Sequence, residues 1–281
     1  MTAALPTALP AMLEAHLARA AALVNDPAPV SVAADTAVYL GIDLGTSDVV
    51  TMAVDADGVP LAVCLEWADV VRDGVVLAFF EAVQIVRAQV EAIETKLGRR
   101  FTHAATSFPP GTDPRISANV IEAAGLSVSA IIDEPSAVAS LLGIDRGAVV
   151  DIGGGTTGVA LIADGQVVYS GDEATGGTHV TLVIAGALKQ SIADAEAFKR
   201  ERGNEAWGIV RPVFEKMTDI VDQHLAGHAP VDTLYLSGGS CALPGVRELF
   251  AQTFPAASVI LPQHCLYLTP LAIAATARGR A

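Results

Sequence analysis

Two stretches of the chain place an aspartate at the end of a strand and follow it with a turn of very small residues. In the later one, Asp151-Ile152-Gly153-Gly154-Gly155-Thr156-Thr157-Gly158, the preceding Val149 and Val150 with Ile152 suit a buried strand, and residues 159–162 suit its partner. The three glycines admit positive φ and let backbone N–H groups approach a ligand with no Cβ in the way. Successive N–H groups in such a turn form a nest for an anion. An aspartate beside that nest would hold a hydrated Mg²⁺ rather than the anion itself. Taken singly, the stretch could equally be a tight hairpin. The earlier stretch, Leu40-Gly41-Ile42-Asp43-Leu44-Gly45-Thr46-Ser47-Asp48, repeats the order of strand, aspartate and small turn, and runs on into a strand at 49–54. The two are too far apart for a solenoid repeat and point to a duplicated lobe.

Two more stretches belong with them. Leu234-Tyr235-Leu236-Ser237-Gly238-Gly239-Ser240 is a strand running into a third glycine turn. Ile131-Ile132-Asp133-Glu134-Pro135-Ser136 is a strand end, then a proline in a first helical turn, then a helix.

The elements that must position these turns follow from periodicity and breakers. The first half reads as strands 38–43, 48–55 and 59–66 with a turn at Asp57-Gly58, and a connection over 69–80. A helix over 79–97 is closed by Gly98, and then come strand 102–107, helix 114–124 and strand 126–132, with a helix over 136–142 ending at Gly143. The second half opens in the same way, with strands 148–152, 157–163 and 166–171 and a turn at Asp164-Gly165. Helices at 178–188, 191–200 and 206–225, strand 233–236, helix 245–254, strand 258–261 and helix 269–277 complete it. The helix over 191–200 carries Asp194, Glu196, Lys199 and Arg200 and reads as a solvated face. On the long helix, Ile209, Val213, Met217 and Ile220 line one side, while Glu215 and Lys216 read as a solvated pair.

The order of the four stretches resembles the superfamily of actin, sugar kinases and DnaK-type chaperones. Within it the chain is similar to the EutJ family of ethanolamine-utilisation proteins, through Val71-Arg72-Asp73-Gly74-Val75-Val76, the Gly-Gly-Gly-Thr-Thr-Gly form of the second turn, and Asp172-Glu173-Ala174-Thr175-Gly176-Gly177. The resemblance covers roughly residues 38–277 and implies an α/β fold of two duplicated ribonuclease-H-like lobes, the actin-like ATPase fold, around a nucleotide cleft. It divides the chain into an N-terminal extension (1–37), a first lobe (38–146), a second lobe (147–265) and a C-terminal helix returning to the first lobe (266–281). It implies ATP and Mg²⁺ as ligands. Gly45, Thr46 and Ser47 would grip the phosphates from one side and Gly153, Gly154, Gly155 and Thr156 from the other. Gly238, Gly239 and Ser240 would hold the adenosine. Asp43 and Asp151 would position Mg²⁺ through water, and Glu134 would orient the attacking water, since hydrolysis needs a placed acceptor more than a strong base. Glu134 would also suit a helix N-terminus for its dipole alone.

Departures from that pattern bear on catalysis. DnaK-type chaperones and filament-forming relatives place an acidic residue after the second turn, where this chain has Gly158. No lysine follows the first turn, the lysines being Lys96, Lys189, Lys199 and Lys216. Nucleotide binding with slow hydrolysis, or none, is therefore expected.

Composition excludes other classes. The chain has 281 residues with 17 Lys and Arg against 31 Asp and Glu, a net charge of −14. That excess repels phosphate backbones and argues against nucleic-acid binding. Mean hydropathy is +0.47, yet no uncharged run reaches the length of a membrane span. Cys64, Cys241 and Cys265 show no paired spacing and read as buried residues of a reducing compartment. His224 and His228 stand at i, i+4 with no evident third metal ligand, and His103 and His179 have no readable partner. In the extension, Leu13, Leu17, Ala20 and Val24 recur at helical spacing after Pro6 and Pro10. The segment reads either as a helix packed on the protein's own body or as an amphipathic docking peptide similar to microcompartment encapsulation tags.

The resemblance implies an ATP-binding, chaperone-like accessory protein that assists assembly or reactivation of ethanolamine-pathway enzymes. Its partner would be a pathway enzyme or a microcompartment protein, and its place the cytoplasm, inside or on a bacterial microcompartment. The alternatives are an actin-like scaffold or filament former, a small-molecule kinase, and a pseudo-ATPase that binds partners without nucleotide.

Overall fold

A computed structural model describes residues 6–72 and 75–280. In chain order the strands are β1 (Val38–Leu44), β2 (Asp48–Asp55), β3 (Pro60–Trp67), β4 (Val71–Arg72), β5 (Val75–Val76), β6 (His103–Phe108), β7 (Ser127–Asp133), β8 (Gly147–Ile152), β9 (Thr157–Ala163), β10 (Gln166–Glu173), β11 (Thr233–Ser237) and β12 (Ser258–Ile260). The helices are α1 (Ala11–Ala22), α2 (Phe79–Leu97), α3 (Arg115–Ala123), α4 (Glu134–Leu142), α5 (Gly177–Leu188), α6 (Ile192–Glu201), α7 (Gly203–Leu225), α8 (Val246–Thr253) and α9 (Leu268–Thr276).

Among these residues the strands form two five-stranded sheets of the same topology, β3-β2-β1-β6-β7 and β10-β9-β8-β11-β12, and the short pair β4-β5. In each sheet the first three strands are antiparallel neighbours and the last two run parallel to the first. The duplication expected from the two aspartate turns is therefore a duplication of whole sheets. The stretch 69–80, expected as a plain connection, contains the hairpin β4-β5. Of the Val71–Val76 motif, Asp73 and Gly74 lie outside the described residues.

The layers follow from which strand faces are apolar. Ile42, Val49, Ala53 and Ala104 of the first sheet pack with Val83, Val86, Ile93, Val120 and Ile121 of α2 and α3. Its other face, with Val50, Met52, Ala105 and Ala130, meets Ala137, Val138, Leu271 and Ile273 of α4 and α9, and these helices also cover Val149, Ala160 and Ile162 of the second sheet. The outer face of the second sheet is covered by α5, α7 and α8 through Val180, Ile184, Phe214, Met217 and Phe250. Two helices thus lie between the two sheets, and α4 and α9 pack directly on one another. Gly41 is where α9 comes closest to β1: a Cβ there would lie 2.5 Å from the Ala274 Cα. At roughly 25 cal/mol per Å² of apolar area removed from water, burial on both faces of each sheet is the dominant stabilising term.

The helix of the extension packs on the body. Leu13, Leu17 and Ala20 of α1 are buried in the same cluster as Val63 and Leu65 of β3. Beyond it, Asn25 pairs through its side chain with both the N–H (3.0 Å) and the C=O (2.9 Å) of Leu65, and Val24 bridges Val63. These contacts cover the open edge of β3, which would otherwise offer unpaired backbone groups. Of the two readings of this segment, the packed helix is the one the structure contains.

Candidate functional site

Each of the sequence-identified turns sits at the C-terminal end of a central strand. The first (Gly45, Thr46, Ser47) follows β1 and the second (Gly153, Gly154, Gly155, Thr156) follows β8. The third (Gly238, Gly239, Ser240) follows β11, and Glu134 is the first residue of α4 after β7. Parallel strands that run alike bring these ends together, the usual place for a ligand in an α/β sheet. A cleft of about 490 Å³ opens there, and all of these residues line it together with Asp43 and Asp151.

The first and second turns touch across the cleft. A Cβ on Gly154 would overlap the Ser47 hydroxyl and lie 3.0 Å from the Ser47 backbone nitrogen, and one on Gly155 would lie 2.5 Å from Thr46 Oγ1. Positive φ, one of the two reasons expected for these glycines, is not found: Gly153, Gly154 and Gly155 all lie outside the left-handed region. At Gly154 and Gly155 the close approach of the opposing turn is what excludes a side chain. Gly238 does need its φ of 89°, and a Cβ there would also sit 2.5 Å from Asp151 Oδ1.

Hydrogen bonds hold the second turn from behind. The Gly153 N–H donates to Thr156 O at 3.1 Å, and the first N–H groups of α5, those of Gly177 and Thr178, donate to the carbonyls of Gly153 (3.0 Å) and Gly154 (2.7 Å). Ser240 Oγ of the third turn donates to the same Gly153 carbonyl at 2.8 Å. With its carbonyls engaged in this way, the turn is fixed to the start of α5 and to the third turn.

The carboxylates face one another. Burial, with the charges of Asp48 and Asp151, pushes Asp43 up to about 8, against a hydrogen bond from Ser107 Oγ at 3.3 Å. Burial also raises Asp151, opposed by the Thr269 hydroxyl at the start of α9, which bonds its Oδ2, and by Ser237. Glu134 is raised well above its ordinary value by burial first, then by Asp43, Asp151, Asp172 and Asp133. Asp133 caps α4, its Oδ1 accepting from the Ser136 N–H at 3.2 Å, so Glu134 belongs to the helix rather than to the strand end. Buried carboxylates of this kind are hard oxygen donors whose mutual repulsion a divalent cation would relieve. Among the described residues no three metal-ligating side chains converge on one point. Asp43 and Asp151 are oxygen donors of the type that suits Mg²⁺.

Several lining residues were not evident in the sequence. Glu196, Lys199 and Arg200 of α6, read as a solvated face, line the cleft. Lys199 Nζ pairs with Glu196 Oε2 at 2.7 Å and donates to Thr181 Oγ1 at 2.9 Å and Gly177 O at 3.2 Å. Their i, i+3, i+4 spacing puts the three on one helix face, which was the available signal. Asp48, next to the first turn, also lines the cleft and is pushed up to about 6 by burial, with Arg200 opposing. Gly158 pairs in register with Asp172, and a Cβ on it would lie 3.4 Å from Asp172 Oδ1 and 3.5 Å from the Pro135 ring. A carboxylate from β10 thus stands beside the start of α4. Lys216 and Glu215 lie outside the cleft, Glu215 being paired with Arg211 at 2.9 Å. His224 and His228 pack on Tyr169, whose hydroxyl is 2.6 Å from His224 Nδ1.

Comparison with known proteins agrees with this geometry. The chain is 57% identical over 269 residues to the ethanolamine utilization protein EutJ of Escherichia coli K12, covering 96% of this chain and 95% of that protein. It belongs to the EutJ family. The crystal structure of EutJ from Carboxydothermus hydrogenoformans superposes with a TM-score of 0.88 at 40% identity, over 94% of this chain and 98% of that one. The family model for cell division protein FtsA matches residues 148–274. MreB5 of Spiroplasma citri, solved with AMPPNP bound, shares the fold at a TM-score of 0.64 and 16% identity, covering 84% of this chain and 94% of its own. The fold is that of the actin-like ATPases. No described helix of this EutJ-family chain is long and apolar enough to cross a membrane.

Proposed function

We propose that this protein is a nucleotide-switched accessory protein of ethanolamine utilisation. It binds ATP with Mg²⁺ in the cleft and presents a different surface to a pathway enzyme or microcompartment protein when the cleft closes. Residues 38–146 and 147–265 act as the two lobes, with 266–281 returning to the first. The observation that carries the reading is the meeting of the two glycine turns, Ser47 against Gly154 and Thr46 against Gly155, beneath buried carboxylates.

In this reading the backbone N–H groups of both turns, with the hydroxyls of Thr46, Ser47 and Thr156, bind the phosphates. Asp43 and Asp151 would hold Mg²⁺ through water, and the ion would supply the positive charge that lets phosphate and carboxylate share one site. Gly238, Gly239 and Ser240 support the adenosine from one side, and Glu196, Lys199 and Arg200 flank it from the other. Glu134 accepts a hydrogen bond from the attacking water. Hydrolysis is slow because Gly158 provides no second acceptor on its own strand. The protein acts as a chaperone-like factor in the cytoplasm, inside or on a microcompartment, during assembly or reactivation of the pathway enzymes.

Isothermal titration of ATP–Mg²⁺ into the wild type and an Asp43→Asn, Asp151→Asn double variant tests the reading. Saturable binding that weakens sharply in the variant is expected, and a flat titration of the wild type would overturn it. A scaffold or filament role is favoured by one observation, the exposure of Leu77 (57%) and Phe80 (83%) at the start of α2. Light scattering that rises on addition of ATP would support that role.

A further inference from the structure

Trp67, the last residue of β3, is 48% exposed, unusual for the largest side chain. Its indole receives the guanidinium of Arg200 from α6, with the central carbon 3.5 Å from the ring centroid. Arg200 is aimed by Glu196, one helical turn back, whose Oε1 accepts from Nε at 2.9 Å. Trp67 belongs to the first sheet and Arg200 to the helices over the second, and both line the cleft. The stack therefore spans the gap between the two halves.

Each partner is tied to one of the turns. The backbone N–H of Ala68, next to Trp67, donates to the Ser47 carbonyl of the first turn at 3.2 Å. Trp67 also pairs in register with Asp48, the residue after Ser47. On the other side, Lys199 donates to the Gly177 carbonyl, and the Gly177 N–H holds Gly153 of the second turn. Trp67 is thus tied to the first turn, and Lys199, the neighbour of Arg200, to the second.

We propose that the Trp67–Arg200 stack is a latch across the mouth of the cleft, which holds the two halves closed over a bound nucleotide and sets how fast that nucleotide leaves. The inference rests on the nucleotide-binding reading given above. A cation–π pair that is partly shielded from water contributes enough to slow opening about three- to tenfold. The pair touches no reacting group, so its effect falls on release.

The test is the release rate of N-methylanthraniloyl-ATP, loaded with Mg²⁺ and chased with unlabelled ATP. Trp67→Leu should release about three- to tenfold faster than wild type, and Trp67→Phe, which keeps an aromatic face, should lie between the two. In an Arg200→Gln background Trp67→Leu should change the rate less than twofold, because the stack is already gone. Thermal midpoints measured in parallel identify a variant that is merely misfolded, and Trp67→Phe then carries the comparison. An unchanged rate in Trp67→Leu overturns the latch, as does full acceleration in the Arg200→Gln background. Absence of labelled-nucleotide binding to the wild type overturns the underlying reading instead.

Discussion

Replacing Gly154 by alanine tests whether the two turns act as a pair. The new Cβ would overlap the Ser47 hydroxyl, with the Ser47 Cβ at 2.8 Å and its backbone nitrogen at 3.0 Å. Rotation of the hydroxyl removes the first overlap only. Relief of the others requires the turns to part by about half an ångström, an overpacking cost of about 1–3 kcal/mol. Because the contact lies between the halves, opening of the cleft discharges most of that cost, and the loss appears in ligand binding rather than in folding. ATP–Mg²⁺ should bind about 5- to 150-fold more weakly by calorimetry, with the thermal midpoint within a few degrees of wild type. Ser47→Gly removes the opposing Cβ and hydroxyl. In that background Gly154→Ala should cost less, with a coupling of about 1 kcal/mol or more across the double-mutant cycle. Equal binding by Gly154→Ala and wild type would refute the reasoning. So would an undiminished loss in the Ser47→Gly background, which would place the cost within the second turn itself.

Gly41→Ala should behave in the opposite way: its Cβ would press on the α9 backbone at Ala274, which cannot rotate away, so a loss of about 1–3 kcal/mol or more should appear in the denaturant midpoint without any ligand. Leu17→Ala empties a fully buried position of α1 and should cost about 2–5 kcal/mol by the same measurement, where a helix serving only as a docking tag would cost nothing. The raised carboxyls give a pH dependence. Asp43 at about 8 and Asp48 at about 6 hold protons in the folded state that the unfolded chain has released above about 3.8. Their stabilising protonation is complete below 3.8 and lost as pH rises through 6 and 8. In EDTA the thermal midpoint should fall between pH 5 and 8.5, and Asp43→Asn should flatten that fall; a midpoint rising over the same range would contradict the carboxylate arrangement.

Local chemistry was legible in the sequence and packing across the cleft was not. A strand running into a small turn, with an aspartate between them in the first two cases, forms a pattern within about ten residues, so the turns at 45–47, 153–156 and 238–240 could be placed before their partners were known. The duplication of the lobes followed from the matching opening strands and turns, while the order of strands within each sheet came only from the fold. The positive φ expected of the middle glycines is absent, and the contact that forbids a side chain at Gly154 could not be foreseen because Ser47 comes from the other half. The face of α6 was misread for the same reason: Glu196, Lys199 and Arg200 resemble any charged helix until Gly177, Thr181 and Trp67 are brought to them by the fold. Glu134 falls between strand 126–132 and helix 136–142 as read from the sequence, and the capping of α4 by Asp133 moves the helix start back by two residues to include it.

The layer formed by α4 and α9 has a consequence for biosynthesis. The cluster beneath the outer helices of the second sheet is built entirely from residues between 148 and 265, so it can close as soon as that stretch has left the ribosome. The inner face of the first sheet is covered in part by Leu271, Ala272, Ile273 and Ala274, which are translated more than two hundred residues after Val50 and Met52, the side chains they meet. The inner faces of both sheets, around Val50, Met52 and Ala105 in the half synthesised first, therefore stay incompletely covered until the last helix is made. Nascent chains stalled before residue 268 should accordingly carry a sticky face on their older half, and release of the final helix is the step that seals it.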